Sequence, residues 1–297
     1  RQYRIYDEAF FGTDFRAPFT FWDHRAGATL FPDRAVRFYG NVALASREPR
    51  LKTIYDGEEA GAGFTPQVEG GATGSVDPLV EPERGVTAEV AGEWEGVRHR
   101  LRVGGYGYWV RDEIVPSGGL DQFGVPRTGN ADRTRHLGIE AEGSVRLARG
   151  LDFSGHLTLS RDRFVRFDEF DAAGIAQDRS GNSIAGFPSR SGYAALSYTR
   201  GGLSARIDAV HAGSAPVDNT GGGDDAQVDA YTLVGAGASY RLPGRFAGLE
   251  LSAEVQNLLD DEVLLSGNTT AFGPQFFPAA TRSFFLVARY TVGRTAR

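Results

Sequence analysis

The sequence contains neither cysteine nor methionine. Without cysteine there are no disulfides, no cysteine-ligated zinc and no thiol catalysis, and the chain suits the oxidising periplasm. Position 1 is an arginine and no methionine follows, so the chain does not open on a translation start and reads as a fragment. The lack of a signal peptide then says nothing about export. Long apolar runs are missing too. Even the best stretch, Leu249 to Leu259, is broken by Glu250 and Glu254, so no transmembrane helix is expected. A spanning β-strand is a separate matter, because about ten alternating residues suffice and barely register in hydropathy. An excess of positive charge is also lacking: 32 Lys plus Arg stand against 38 Asp plus Glu, a formal charge of −6. That balance argues against nucleic acid as a partner.

What is present favours β structure. Forty glycines, 20 phenylalanines and 11 tyrosines accompany a hydrophobic share of 41%, a profile rich in turns and aromatics and too apolar for disorder. Period-2 patterning recurs along the chain. Leu151, Phe153, Gly155, Leu157 and Leu159 alternate with Asp152, Ser154, His156, Thr158 and Ser160. The same alternation runs through Val86 to Trp94, Leu137 to Leu147, Leu203 to Ala209 and Leu249 to Gln256.

The connections come in two sizes. Tight ones fall at Pro32 to Arg34, Glu95 to Val97, Arg149 to Gly150, Gly201 to Gly202 and Leu242 to Phe246, all rich in residues that reverse a chain. Long ones fall at Arg47 to Arg84, Asp112 to Arg133, Val165 to Ser189, Ser214 to Gln227 and Leu258 to Ala280. Short and long alternate, so in an antiparallel meander every short turn lies on one rim and every long loop on the other. Outer-membrane barrels have this asymmetry, with short periplasmic turns and long extracellular loops. Gly150 and Gly201 then mark the periplasmic rim, and the Arg47 to Arg84 loop lies outside. The expected fold class is all-β, an antiparallel transmembrane β-barrel meander of about twelve strands, the first near Arg1 to Phe10 and the last near Arg282 to Val292. A water-soluble sandwich or propeller would alternate as well. Its strands, however, are usually shorter and bury their apolar face against another. The polar face here carries Glu89, Glu93, Arg100, Arg102, Glu140, Glu142, Arg146, Glu250 and Glu254, and should line water or a polar plug in a lumen.

Catalytic and metal chemistry find little support. The histidines His24, His99, His136, His156 and His211 are scattered singly, without the paired spacing of a metal site. Ser154 and His156 share a face and invite comparison with an outer-membrane phospholipase, but nothing else completes a triad. Asp218, Asn219, Asp224 and Asp225 beside Gly221 to Gly223 offer oxygens to calcium without EF-hand spacing, so a solvated loop is the simpler reading. The glycines around Gly71 and Gly74 lack the lysine and hydroxyl of a phosphate-binding loop. No catalytic residue, metal or cofactor is expected. The ligand candidates are loop residues: Tyr55, Phe64, Phe123, Phe272, Phe276 and Phe277 as stacking surfaces, and Arg50, Lys52, Arg127 and Arg133 as cations for an anionic ligand. The same four cations suit lipopolysaccharide phosphates or nearby acids. Phe38, Tyr39, Trp94, Tyr108, Trp109, Tyr240 and Tyr290 fit aromatic girdles at the bilayer interfaces.

The last forty residues carry a resemblance. Asn257-Leu258-Leu259-Asp260-Asp261-Glu262-Val263, and then Phe277-Pro278-Ala279-Ala280-Thr281-Arg282 leading into Ser283 to Tyr290, are similar to the end of a TonB-dependent receptor. Ser46-Arg47-Glu48-Pro49, Leu137-Gly138-Ile139-Glu140 and Gly186-Phe187-Pro188-Ser189-Arg190 match the same family's habits. The resemblance implies a barrel of about twenty-two strands with an N-terminal plug, of which residues 1–297 form a single partial domain, the C-terminal half. It implies an outer-membrane protein among lipid and lipopolysaccharide, its own plug held in the lumen, and a TonB complex acting through a region upstream. It also implies energised uptake of a scarce, bulky solute, usually a ferric siderophore, sometimes a cobalamin, haem or oligosaccharide, with no bond made or broken. The family usually closes on an aromatic residue, whereas Gly293 to Arg297 follow Val292 here. Two other classes stay open: a passive porin or adhesin barrel without a plug, and an outer-membrane enzyme. Half a barrel has two unpaired edges, costly in lipid, and is not expected to be stable alone.

Overall fold

The computed structural model describes residues 2–8, 13–54, 68–70, 76–120, 126–170, 175–221, 226–246, 248–270 and 272–292. Eleven strands form one antiparallel sheet. They are β1 (His24–Leu30), β2 (Val36–Arg47), β3 (Glu83–Glu95), β4 (His99–Leu120), β5 (Pro126–Ala148), β6 (Leu151–Arg166), β7 (Arg190–Arg200), β8 (Leu203–Ala212), β9 (Tyr231–Arg241), β10 (Leu249–Gln256) and β11 (Ser283–Tyr290). Each pairs with the next in sequence, so the sheet is a meander without crossovers. The count is eleven rather than about twelve because the first expected strand does not join the wall. Gln2–Glu8 pairs instead with Thr13–Pro18 in a separate ladder.

All five tight turns form where the sequence places them. Ala148 faces Leu151 across Arg149 and Gly150, and Arg200 faces Leu203 across Gly201 and Gly202. Gly201 and Gly202 have φ of 58° and 88°, the pair of positive angles that a two-residue turn matching strand twist demands. The long connections all leave from the opposite rim. One expectation is revised there: Asp112 to Arg133 is not an open loop. The β4–β5 ladder continues through Glu113 facing Ala131 to Leu120 facing Pro126. Asp112 adopts a φ of 56°, an irregularity that breaks the sequence alternation without ending the pairing. Asn130 secures it by donating to the Asp112 carbonyl at 2.7 Å.

The two faces of the wall are inverted relative to a soluble protein. On β3, Val90 is 67% exposed and Trp94 51%, whereas Glu93 between them is 6% exposed. The apolar set Val86, Val90, Leu101, Val103, Ile139, Leu157, Ile207 and Leu251 lies on the open face, an apolar surface far larger than a water-soluble monomer leaves uncovered. The polar face is the enclosed one. Its arginines pair with carboxylates along the wall: Arg37 with Glu93, Arg100 with Glu93 at 3.0 Å, Arg146 with Asp152 at 3.4 Å and Arg241 with Glu250 at 3.0 Å. Five of the girdle aromatics, Phe38, Trp94, Trp109, Tyr240 and Tyr290, stand exposed on the apolar face. Tyr39 and Tyr108 do not. Tyr39 lies under the Arg102 guanidinium at 5.3 Å, and the Tyr108 ring sits 5.8 Å from that of His136. Both are on the polar face, because alternation in β2 and β4 fixes the face by parity regardless of aromatic character.

Beyond the loop-side end of the apolar band the connections pack on one another. Val115, Ala131, Phe164, Phe167 and Ile184 form a buried cluster, with the Phe164 and Phe167 rings 4.6 Å apart. Asn219, 1% exposed, donates to the Pro116 carbonyl at 3.0 Å and accepts from the Ala185 amide at 3.2 Å. That side chain joins the β8–β9 connection to the β4 extension and the β6–β7 connection.

Candidate functional site

The densest constellation of polar chemistry on the enclosed face lies just past the apolar band, where the outward positions change from Leu137 to Arg135 on β5 and from Leu159 to Arg161 on β6. The register sets Tyr108, His136 and Asp162 side by side on β4, β5 and β6. Nδ1 of His136 lies 2.8 Å from Asp162 Oδ1, and Nε2 lies 3.1 Å from Glu113 Oε2. Ser160 donates to Asp162 Oδ2 at 2.6 Å, and Thr134 donates to Glu113. Phe187 closes the far side, its ring 5.5 Å from the imidazole.

Both ring nitrogens face carboxylate oxygens, and a histidine satisfies two acceptors only when doubly protonated. Burial opposes the charge on His136, but the hydrogen bonds to Asp162 and Glu113 outweigh it and raise the pKa from 6.5 to about 9. The imidazolium and its two acidic partners form one compact group. It opens onto a cavity of about 580 Å³ whose walls include Tyr106, Tyr108, Thr158, Phe187 and Ser191. Two glycines make room for the phenols. A Cβ at Gly85 would overlap the Tyr108 ring, and one at Gly138 would overlap the Tyr106 ring.

The order of these groups is not that of a hydrolase. In a Ser-His-Asp triad the histidine stands between nucleophile and acid and takes the serine proton. Here Asp162 stands between Ser160 and His136, and a charged imidazole held by two carboxylates cannot act as the base. Ser154 and His156 fare no better, since the His156 ring stacks on Tyr193 at 5.7 Å and no hydrogen bond joins it to Ser154. Among the described residues no group of histidine and acid side chains has the geometry to hold a metal ion. Asp218 spends its oxygens on Thr220 and Thr269 at 2.6 and 3.2 Å, while Asp224 and Asp225 lie outside the described residues.

The loop candidates fall in two places. Arg50 and Lys52 are exposed beside a short turn, Leu51–Ile54, that Thr53 ties to Thr128 at 3.2 Å. Phe272, Phe276 and Phe277 belong to the hairpin Leu264–Thr270 with Gly273–Pro278, where Phe272 is 90% exposed. Arg133 is exposed and faces Arg111 in the ladder. Tyr55, Phe64 and Phe123 lie outside the described residues, as does the side chain of Arg127. Of the polar-face charges, Arg102 approaches Glu142 at 4.0 Å, Glu89 accepts from Asn41 at 2.9 Å and Glu254 from Gln256 at 2.9 Å. Glu140 shares that face, paired in register with Thr158. In the sequence His136 is one of five scattered histidines. A tight turn at Gly150 alone would set Asp162 opposite Leu137. A bulge between Leu151 and Asp152 shifts the register by one and brings Asp162 opposite His136. Alternation, which puts both on the polar face, is the signal in the sequence.

The C-terminal motifs also meet in space. Asn257, 6% exposed, donates to the carbonyls of Asp261 at 2.9 Å and Ala280 at 3.2 Å.

A family model of the TonB-dependent receptor-like β-barrel matches residues 2–258. The chain belongs to that family. Membership places it with transport receptors rather than enzymes. Among solved structures, the siderophore receptor PiuA of Acinetobacter baumannii aligns over 94% of this chain and 36% of its own, at 17% identity and a TM-score of 0.67. The ferric-catecholate import receptor Fiu of E. coli K12 aligns over 94% and 36%, at 18% identity and a TM-score of 0.68. The copper transporter OprC aligns over 90% and 38%, at 17% identity and a TM-score of 0.66. At these identities the likeness is one of fold, and the chain spans little more than a third of each structure. No curated protein matches the sequence.

Proposed function

We propose that this chain is the C-terminal half of the barrel of an outer-membrane receptor that takes up a scarce, bulky solute at the expense of TonB-delivered energy. The observation that carries the reading is the family match across residues 2–258, joined to a wall whose apolar face is open and whose long connections share one rim. An N-terminal plug of the same protein would fill the lumen against the polar face, and the TonB complex would pull on it from the periplasm. Surrounding lipid and lipopolysaccharide would cover the apolar face.

The solute we favour is a ferric siderophore, in keeping with the names of two structural neighbours, a siderophore receptor and a ferric-catecholate import receptor. Loop aromatics such as Phe272 and Phe277, and cations such as Arg50 and Lys52, would meet it first. The cavity beside Tyr106, Tyr108 and His136 would receive it on the lumen side, with phenols and aromatic faces suited to a flat, polar ligand. Charge along Glu89, Glu93, Arg100, Arg102, Glu140, Glu142, Arg146, Glu250 and Glu254 would keep the lumen wet and the plug in place.

Growth of a deletion strain on a panel of iron sources tests the proposal, together with uptake of radiolabelled iron in cells with and without TonB. The expected result is lost growth on one ferric complex and uptake that needs TonB. Normal growth on every source, or uptake of small solutes that is indifferent to TonB, would favour a passive porin instead.

A further inference from the structure

The arginines of the two faces are treated differently. On the polar face Arg37, Arg47, Arg100, Arg146 and Arg241 each meet a carboxylate within 3.4 Å. On the apolar face the outward runs Val86–Trp94, Leu101–Trp109, Leu137–Leu147 and Leu151–Leu159 are each roughly ten residues, the length that crosses a bilayer. Every one of those runs ends, at its loop-side limit, on arginine: Arg84 on β3, Arg111 on β4, Arg135 and Arg133 on β5, Arg161 and Arg163 on β6.

The register places these side chains against one another. Arg84 faces Arg111, Arg111 faces Arg133, and Arg135 faces Arg163. Like charges directly opposite in a ladder repel, and among the described residues none of the six has a carboxylate partner. Arg163 donates to the Gly181 carbonyl at 3.0 Å, and Asp132, next to Arg133, is engaged by Arg166 at 2.9 Å. Arg84, Arg111, Arg133 and Arg161 are exposed, and Arg135 and Arg163 half-buried. Trp109, facing Arg135 in the ladder and 44% exposed on the same face, marks the interface where headgroups begin.

We propose that these six arginines form a binding site on the outside of the wall for phosphorylated lipid headgroups of the outer leaflet. Guanidinium forks bind phosphate bidentately, and the site adjoins the apolar band, so one lipid places its acyl chains on Val86, Leu137 and Leu159 and its phosphates on the arginines. The occupant relieves the repulsion that the fold leaves unanswered. Among the four loop-side cations, only Arg133 belongs to this patch. The inference rests on the outer-membrane reading above and would add a lipid requirement to it.

The test uses the full-length receptor extracted from outer membranes in mild detergent. Phosphorylated lipid retained per barrel is quantified for the wild type, for the variant with all six arginines changed to glutamine, and for the variant with all six changed to lysine. Lipid A with and without its phosphates, and inorganic phosphate, are then compared for their shift of the thermal midpoint. Retention about tenfold lower in the glutamine variant, closer to wild type in the lysine variant, and a shift that needs phosphorylated lipid A would support the site. Equal retention in the glutamine variant, or an equal shift from dephosphorylated lipid A or from inorganic phosphate, would overturn it. Heat-modifiable migration confirms that each variant is folded. A wild-type protein absent from the outer membrane would instead defeat the underlying reading.

Discussion

Asp260 accepts a hydrogen bond from the backbone amide of Arg282 at 2.9 Å, while the guanidinium of Arg282 reaches the other carboxylate oxygen of Asp260 at 3.7 Å. The contact closes a connection of more than twenty residues between β10 and β11. Asp260 and Asn257 both hold positive φ, 60° and 51°, a backbone region in which Asn and Asp are tolerated better than other side chains. The two C-terminal motifs are thus halves of one lock: the first supplies two side chains in left-handed conformation, the second the carbonyl and amide they bind.

Replacing Asn257 with alanine should therefore cost more than a typical surface change. It removes bonds to Asp261 and Ala280, leaves those groups unpaired, and forces a Cβ-branched-free but still strained residue into a φ of 51°. The expected loss is on the order of 2–3 kcal/mol. Asn257→Gly should lose less, since only the backbone strain is relieved. Thermal or denaturant midpoints of the full-length barrel would rank the two, and a glycine variant no better than alanine would remove the backbone part of the argument.

His136 gives a pH dependence with a definite sign. Its folded pKa is raised to about 9 from 6.5, so its contribution is fully present below about 6.5 and fades as pH rises through about 9. Buried between Asp162 and Glu113, the imidazolium is worth on the order of 3 kcal/mol to the loop-side end of the wall. The thermal midpoint should fall across that alkaline window in the wild type. In His136→Gln the step should vanish, and an unchanged alkaline step in that variant would assign it to another group.

Much of the wall is legible in the sequence, because alternation gives the face of each residue and a tight turn gives the register. Gly201 supplies the register of its ladder directly, whereas after Gly150 a bulge between Leu151 and Asp152 shifts it by one. The polar set from Glu89 to Glu254 follows from the alternation. What escapes is whatever depends on an irregular backbone or on distant partners. The positive φ of Asp112 disguises a continuing ladder as a loop. Tyr39 and Tyr108 look like girdle residues because aromatic character is read before parity. The His136 cluster draws Glu113 and Asp162 from neighbouring strands, and the arginine patch emerges only when four strands are laid in register.

Gly85 offers a direct test of the cavity beside His136. Its missing side chain is the space that Tyr108 occupies, so Gly85→Val should push the phenol off the imidazole without touching either charged partner. Overpacking of this kind costs roughly 1–3 kcal/mol. If the cavity receives the ligand, affinity should fall while the amount of folded receptor in the membrane stays near normal. Ligand binding to whole cells would report the first and heat-modifiable migration the second. Wild-type affinity with a displaced Tyr108 would remove the cavity from the ligand path.

The buried loop cluster should behave as one unit, because Asn219 satisfies groups on two other connections at once. Asn219→Ala leaves the Pro116 carbonyl and the Ala185 amide without their partner, a loss on the order of 2 kcal/mol for buried groups. Phe164→Ala removes a ring that is 1% exposed and lies tilted against Phe167 at 4.6 Å, and core truncations of that size cost roughly 3–5 kcal/mol. Neither residue belongs to the outward apolar set of the wall, so the wall strands should stay protected. Hydrogen exchange should accelerate in the β4 extension, around Ile184 and around Val217 together, and remain slow in β8 and β9. Acceleration confined to the neighbourhood of the mutated residue would mean that the connections open independently, and that Asn219 caps a loop rather than couples three.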